Sequence, residues 1–344
     1  MKPSFLFEHL IAKKDLNTAQ MQEVIYSCMT GEFNDIQTAT FLALMRMKGE
    51  TIHELTAAAQ VMRQLAHPIE LGENLIDIVG TGGDGKNTFN VSTACSFVVA
   101  AAGVSVAKHG NRSVSSSSGS ADLLEQAGFI LDLPDRHIHA CLQQCGLTFL
   151  FAPHYHPAML HAREARKQLG IRTFFNLLGP LINPAHVKKQ VVGVFSSQWL
   201  KPLATVLAHL GSERALVMSS MDGLDEISIA APTQVVEYKK GTFETWEINP
   251  KDYVIYHDSL DEILVHSPQQ SLELILSVFS GVNGAPRDMV VLNSAAAIYC
   301  AHEGLSFSAA IDLAKTAIDS GNAHKIFDQL RLLTHTLNKE FSHE

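Results

Sequence analysis

The apolar run LIDIV at residues 75–79 ends in the glycine-rich turn GTGGDG at 80–85. A short, β-branched run of this kind reads as a strand buried on both faces, and such strands belong to parallel sheets joined by helical crossovers. The chain should therefore alternate strands and helices downstream, and its patterns do. A helical pattern over 93–102 leads to the strand-like VSVAK (104–108), followed by FILDL (129–133), LTFLFA (147–152), VVGVF (191–195) and ALVMSS (215–220). Helical stretches, one of them at 158–169, separate these runs, which is the grammar of a mainly parallel sheet covered on both faces. The segment 235–248 reads as a hairpin about Lys240 and Gly241, and four helices near 270–280, 288–303, 307–319 and 323–338 close the chain.

Upstream of Leu75 the texture is helical only. Asn17 can cap a helix carrying Met21, Val24, Ile25, Cys28 and Met29, with Gly31 past its end. Asn34 or Asp35 begins a second, with Ile36, Ala39, Leu42 and Met45 on one face and Gly49 as its stop. Thr51 and Glu54 form a capping box for a third. Helices this short need a partner surface. The expected fold class is α/β: a small N-terminal all-helical domain over 1–70, and a larger domain over 71–344 with a mainly parallel central sheet flanked by helices. With 344 residues, 46% of them apolar, the chain can bury both cores.

Charge narrows the function classes. Lys and Arg number 26 against 35 Asp and Glu, a net charge of −9, which argues against a generic nucleic-acid or anionic-membrane surface. Cys28, Cys95, Cys141, Cys145 and Cys300 show no paired framework, so a reducing compartment and a cytoplasmic location are expected. The run from Cys95 to Ala107 is broken by Ser and Gly and is too short for a bilayer, and the N-terminal apolar stretch carries charges. Neither a membrane segment nor a signal peptide is expected.

GTGGDG satisfies G-x-G-x-x-G through Gly80, Gly82 and Gly85, and nearly satisfies a nucleotide P-loop through Gly80, Gly85 and Lys86. Asn87 stands where the P-loop needs Ser or Thr. Lys108 and His109 stand where a dinucleotide site needs an acid, about twenty positions on. A strand-ending turn without a ligand is a third reading. The neighbourhood favours a ligand, because Gly85 to Ala121 contains no Asp or Glu. It does contain Lys86, Lys108, His109 and Arg112, together with Asn87, Thr88, Asn90, Ser92, Thr93, Asn111 and serines 113, 115–118 and 120. Donors and positive charge without competing carboxylates describe a polyanion site. Glycine N–H groups and a helix beginning near Ser92 would face that ligand, with Asn90, Ser92 and Thr93 serving as cap and contact.

Polyphosphate chemistry calls for a divalent cation. The best carboxylates are those of DGLDE (222–226), just after the strand-like ALVMSS: Asp222, Asp225 and Glu226. Alone, a cluster of this kind is more often a solvated acidic turn, and its pairing with the acid-free polyanion site upstream reverses that weighting. His137, His139, Cys141 and Cys145 crowd together in a helical stretch but lack zinc-finger spacing. His154 and His156, either side of Tyr155, line a substrate pocket or merely fill a turn; both readings stand.

Taken together, GTGGDGKNTFNVST (80–93), KHGNRSVSSSSGSADLLE (108–125), RKQLGIRTFFNLLGPLINP (166–184) and DGLDE resemble the anthranilate phosphoribosyltransferase family in order and spacing. The resemblance implies transfer of the 5-phosphoribosyl group from 5-phosphoribosyl diphosphate (PRPP) to the anthranilate amine, a step of tryptophan biosynthesis, with magnesium required. It implies that Gly80, Gly83, Asp84, Thr88, Asn90, Val91, Ser92, Thr93, Lys108, Ser115, Ser116 and Ser120 grip PRPP. Gly80, His109, Asn111, Arg166 and Gly179 would face anthranilate. Ser92, Asp225 and Glu226 would hold metal, two Mg2+ ions in all, and no dedicated acid or base is implied. A hinge around 170–185 and a homodimer formed through the helical domain also follow from the resemblance. Two alternatives are a same-fold nucleic-acid-binding protein without catalysis and a pyrimidine nucleoside phosphorylase.

Overall fold

The computed structural model describes residues 1–113 and 118–341. Four helices open the chain: α1 (Pro3–Ile11), α2 (Thr18–Met29), α3 (Asp35–Lys48) and α4 (Ile52–Leu65). Their starts are set by side-chain chemistry. Asn17, Asn34 and Thr51 each accept a hydrogen bond from the backbone three residues on, and the side chains of Gln20, Gln37 and Glu54 each accept one from the cap's own N–H, closing three capping boxes. α1 was not legible in the sequence. It starts on Pro3, a residue preorganised for a first helical turn, and buries Leu6 and Leu10.

Among the described residues, seven strands form one sheet in the order β3-β2-β1-β4-β5-β6-β7. The strands are β1 (Ile76–Gly80), β2 (Val106–Gly110), β3 (Leu147–Phe151), β4 (Lys189–Gly193), β5 (Arg214–Ser220), β6 (Thr233–Lys239) and β7 (Thr242–Ile248). The first five run parallel, while the β6–β7 hairpin adds antiparallel at one edge. Between and after them lie α5 (Val91–Ala101), α6 (Ser120–Gln126), α7 (Asp135–Cys145), α8 (Ala152–Tyr155), α9 (Leu160–Leu169), α10 (Phe175–Leu178) and α11 (Leu200–His209). The chain closes with α12 (Pro268–Phe279), α13 (Ala285–Ala301), α14 (Phe307–Asp319) and α15 (Asn322–Phe341). The expected α/β class, with its helical N-terminal part, is the observed one.

One expected strand is absent. Residues 129–133 alternate because Phe129, Leu131 and Leu133 are buried against helices, with Phe129 5.1 Å from Phe327 of α15. The Ile130 N–H donates to the Thr334 hydroxyl rather than to a neighbouring strand.

Two cores sandwich the sheet. One holds α5, α13, α14 and α15 with the apolar face of β1 and β2, while the other joins α1–α4, Ala162, the 174–182 segment and α11 to Val192, Val194, Ala215, Val217 and Val236. Phe174 ties these parts together, edge-on to Phe41 at 5.8 Å and stacked on Phe175 at 4.8 Å. The strand order reverses at β1 and β4, and the crevice beyond their carboxyl ends is where ligands of such sheets bind.

Candidate active site

β1 and β4 end in register, Gly80 opposite Gly193. The acidic turn after β5 lies directly on these two glycines. A Cβ on Gly193 would overlap the Asp225 carbonyl oxygen, and one on Gly80 would strike the Asp225 carboxylate. Only bare backbone admits this approach. Past Gly80 the chain turns through three left-handed glycines, Gly82, Gly83 and Gly85, with φ of 66°, 76° and 76°. The Gly82 N–H donates to Asp225 Oδ2 at 2.7 Å. The glycine turn and the acidic turn, 143 residues apart in sequence, are thus one structure.

The acidic turn divides its carboxylates. Asp222 accepts from Ser228 Oγ at 2.6 Å within its own loop. Asp225 and Glu226, each 8% exposed, are turned inward. Burial pushes both carboxyls up from the usual carboxylate range. The charge of Asp84 adds to this at Asp225, and that of Asp225 adds to it at Glu226. Asp84 Oδ1 accepts from the Lys86 N–H at 3.0 Å, while its buried Oδ2 has no hydrogen-bond partner. Three repelling carboxylates with an orphaned oxygen are a donor set fitted to a hard divalent cation. Among the described residues no group of three or more His, Cys, Asp or Glu side chains is already arranged around a metal position.

On the other side of the turn, α5 begins at Val91. Asn90 is not its side-chain cap, contrary to the sequence reading. Its Oδ1 accepts from Ser118 Oγ at 2.9 Å and Ser271 Oγ at 2.7 Å, and its Nδ2 donates to the Ser118 carbonyl. In the first turn of α5 the Val91 N–H donates to the Phe89 carbonyl, the Thr93 N–H to that of Asn90, and the Ser92 N–H to the Glu226 carboxylate. Ser92 Oγ accepts from Lys108 Nζ at 3.2 Å, and that ammonium also donates to the Ile78 carbonyl at 2.6 Å. Burial lowers the Lys108 pKa. Thr93 is buried with a free hydroxyl, Val91 is buried in the core, and Thr88 bridges to Leu264. Ser120 opens α6 and donates to the Asn111 carbonyl. Ser115 and Ser116 lie outside the described residues.

Of the acceptor-side candidates, His109 and Gly179 meet. His109, next to Lys108 on β2, is buried and its ring hydrogen bonds to the Gly179 backbone, leaving Nε2 unpartnered. Its ring centroid lies 5.2 Å from that of His156, also buried. Burial pushes these imidazoles down to about 3 and about 4, so both are neutral at physiological pH. Arg166 on α9 is half-buried, its guanidinium 5.2 Å from the Phe175 ring centroid, which makes it more than the surface charge its helix position alone suggests. Asn111 is exposed beyond β2, its Oδ1 accepting from the Arg112 N–H.

Sequence reasoning missed Gly193, whose importance comes only from its register with Gly80, and Arg172. The Arg172 Nε lies 3.1 Å from where a Gly83 Cβ would sit, and its guanidinium stacks on Phe195 at 4.9 Å. Nothing in the local pattern separates Arg172 from an ordinary surface cation.

Comparison with known proteins places this arrangement in context. Residues 72–324 match the a/b domain of the "Glycosyl transferase family", and residues 6–66 match its helical bundle domain. The anthranilate phosphoribosyltransferase of Legionella pneumophila (strain Paris) is 72% identical over 344 residues, 100% of both chains. The chain belongs to the anthranilate phosphoribosyltransferase family. The crystal structure of the Thermus thermophilus member superposes with a TM-score of 0.89 at 37% identity, covering 96% of this chain and 99% of that one. The Saccharomyces cerevisiae member, solved in complex with PRPP and Mg, gives 0.87 at 25% identity, covering 97% and 98%. Its complex with 4-fluoroanthranilate gives 0.85 at 25% identity, covering 97% and 99%. The motif resemblance in the sequence therefore identified the right family of transferases, and neither a phosphorylase nor a nucleic-acid-binding protein is needed to account for the chain.

Proposed function

We propose that the chain transfers the 5-phosphoribosyl group of PRPP to the amine of anthranilate, releasing diphosphate, in tryptophan biosynthesis. The observation that carries this reading is the contact of the glycine turn with Asp225, which sets a phosphate cradle against a cation site at the switch point. PRPP occupies the crevice along Gly80, Gly83, Asp84, Thr88, Asn90, Val91, Ser92, Thr93, Lys108, Ser115, Ser116 and Ser120. Two Mg2+ ions are assigned, held through Ser92, Asp225 and Glu226, and they neutralise charge on the diphosphate when bound. Backbone N–H groups of the glycine turn stabilise the negative charge that develops as the C1–oxygen bond breaks. Lys108 adds a fixed cation between the Ile78 carbonyl and Ser92 Oγ.

The aromatic amine is a neutral nucleophile, so no general base is required. Arg166 orients the anthranilate carboxylate through its forked donors, with Gly80, His109, Asn111 and Gly179 bounding the ring. Neutral His109 supports this role because it presents no charge to the ring. We divide the chain at 1–70 and 71–344, joined around 170–185. The helical domain forms a homodimer, supported by exposed Phe5, Ile11, Ile36 and Met47 on α1 and α3. No helix among the described residues is long and apolar enough to cross a membrane. A cytoplasmic location is supported by five free cysteines.

Mixing the protein with Mg2+, PRPP and anthranilate should consume the anthranilate fluorescence. No loss at any Mg2+ concentration would overturn the reading.

A further inference from the structure

Asp77 is the charged side chain within β1, and it is wholly buried. A carboxylate there costs several kcal/mol unless it is held. Its two oxygens hold two different parts of the chain. Oδ1 accepts from the His109 N–H at 3.2 Å, and Oδ2 accepts from Asn183 Nδ2 at 2.8 Å. Asn183, 1% exposed, gives a second Nδ2 bond to the Ala107 carbonyl at 2.9 Å, while its Oδ1 accepts from the Ala185 N–H at 2.9 Å.

These bonds replace a missing ladder. Every other adjacent pair in the sheet has at least five residues in register, but β1 pairs with β2 only at Ile76 and Val106. Beyond that pair, backbone groups that strand pairing would satisfy are met by side chains. Asn183 serves the Ala107 carbonyl, Lys108 Nζ serves the Ile78 carbonyl, and Asp77 serves the His109 N–H. The two strands are splayed where their carboxyl ends meet the crevice, and the Asp77–Asn183 pair fills the opening.

We propose that Asp77 and Asn183 are positioning residues: a buried peg that fixes the acceptor-side wall, His109 and the Gly179–Asn183 segment, against β1. This rests on the reading that His109 and Gly179 face anthranilate. The sequence separation explains the arrangement's use. Gly179 and Asn183 lie on the segment that packs with the helical core, so one amide–carboxylate bond ties that segment to the central strand. Lys108 keeps its own bonds to Ile78 and Ser92 without Asn183, so the PRPP side does not depend on the peg in the same way.

The test combines kinetics with hydrogen–deuterium exchange. Asn183→Ala should raise the anthranilate KM by about tenfold or more and leave the PRPP KM within about threefold, the split that a moved acceptor wall produces. Asn183→Asp sets two buried carboxylates face to face and should be worse. Adding Asp77→Asn removes one of the facing carboxylates and restores a donor to the pair, though the Ala107 carbonyl still lacks its amide N–H, so it should recover part of the anthranilate KM. Should Asn183→Ala fail to fold, Asn183→Ser gives the same comparison. Exchange over 105–110 and 179–186 should quicken by about tenfold in Asn183→Ala. Equal rises in both KM values, no rise in either, a double variant no better than Asn183→Asp, or unchanged exchange would each overturn the peg. Wild-type protein that never consumes anthranilate would instead overturn the functional reading, while the exchange result would still test the peg.

Discussion

Gly193 has no room for a single methyl group, because the Asp225 carbonyl occupies that space. Gly193→Ala must push the acidic turn off the ends of β1 and β4, and with it the carboxylates assigned to magnesium. The expected outcome is a fall in turnover of about a hundredfold or more, with the Mg2+ requirement shifted upward, read from initial rates across a metal titration. Replacing Asp225 and Glu226 by Asn and Gln should separate activity from stability. Turnover should fall by a similar factor, since the cation loses its anionic ligands. Metal-free thermal stability should hold or rise, because two buried carboxyls that burial pushes upward are replaced by neutral amides. Thermal melts without Mg2+ check the sign, and a clear loss of stability would show that the pair is structural. For Arg166, removal of a half-buried forked donor should raise the anthranilate KM by about tenfold, more than it raises the PRPP KM.

At the scale of elements, much was legible because local chemistry decided it. The capping boxes at Asn17, Asn34 and Thr51 follow from residues three positions apart, and strand ends followed by glycine are visible in the sequence. Asn90 misled because a cap and a tertiary hydrogen bond look alike until Ser271, 181 residues away, is in place. Residues 129–133 misled because burial on one face gives the same alternation whether sheet or helix covers it. The glycine turn and the acidic turn were each legible as candidate sites, but their contact depends on strand order. Asp77 breaks LIDIV with a charge, yet read as an apolar run that segment gives no role to Asp77 or to its partner Asn183. Glu54 shows a local signal with tertiary weight. It accepts from the Thr51 N–H and the distant Leu16 N–H, both at 2.9 Å, and from Lys48 Nζ at 2.8 Å, all out of solvent. Glu54→Ala would break the box and leave a buried ammonium with only the exposed Asp15 and the Gly49 carbonyl, a loss of about 3–5 kcal/mol measurable by urea unfolding.

Across the whole molecule, two apolar cores grip a sheet whose carboxyl end carries opposed sets of buried titratable groups, and these give stability a pH dependence that can be separated by sign. His109 and His156 are held neutral by burial, at about 3 and about 4. Below the ordinary imidazole value the unfolded chain takes up protons that the folded chain refuses, so each histidine removes stability as pH falls from near 6.5 toward its folded value. Asp77, pushed up to about 6 by burial, acts in the opposite sense, since the folded state takes up its proton first and gains stability as pH falls from there toward 3.8. Raised Asp225 and Glu226 act the same way as Asp77. The wild-type profile is therefore a partial cancellation, and a comparison within one background isolates a single group. His156→Asn keeps all three carboxylates and removes one refused proton. Relative to wild type it should gain about 2 kcal/mol between pH 7 and pH 5, since the unfolded histidine binds about 1.5 pH units' worth of proton over that range. Urea unfolding of the two proteins at both pH values measures the difference. A difference that stays flat, or one that favours the wild type at pH 5, would show that the His156 imidazole protonates in the folded protein and that the acceptor-side wall is open to water.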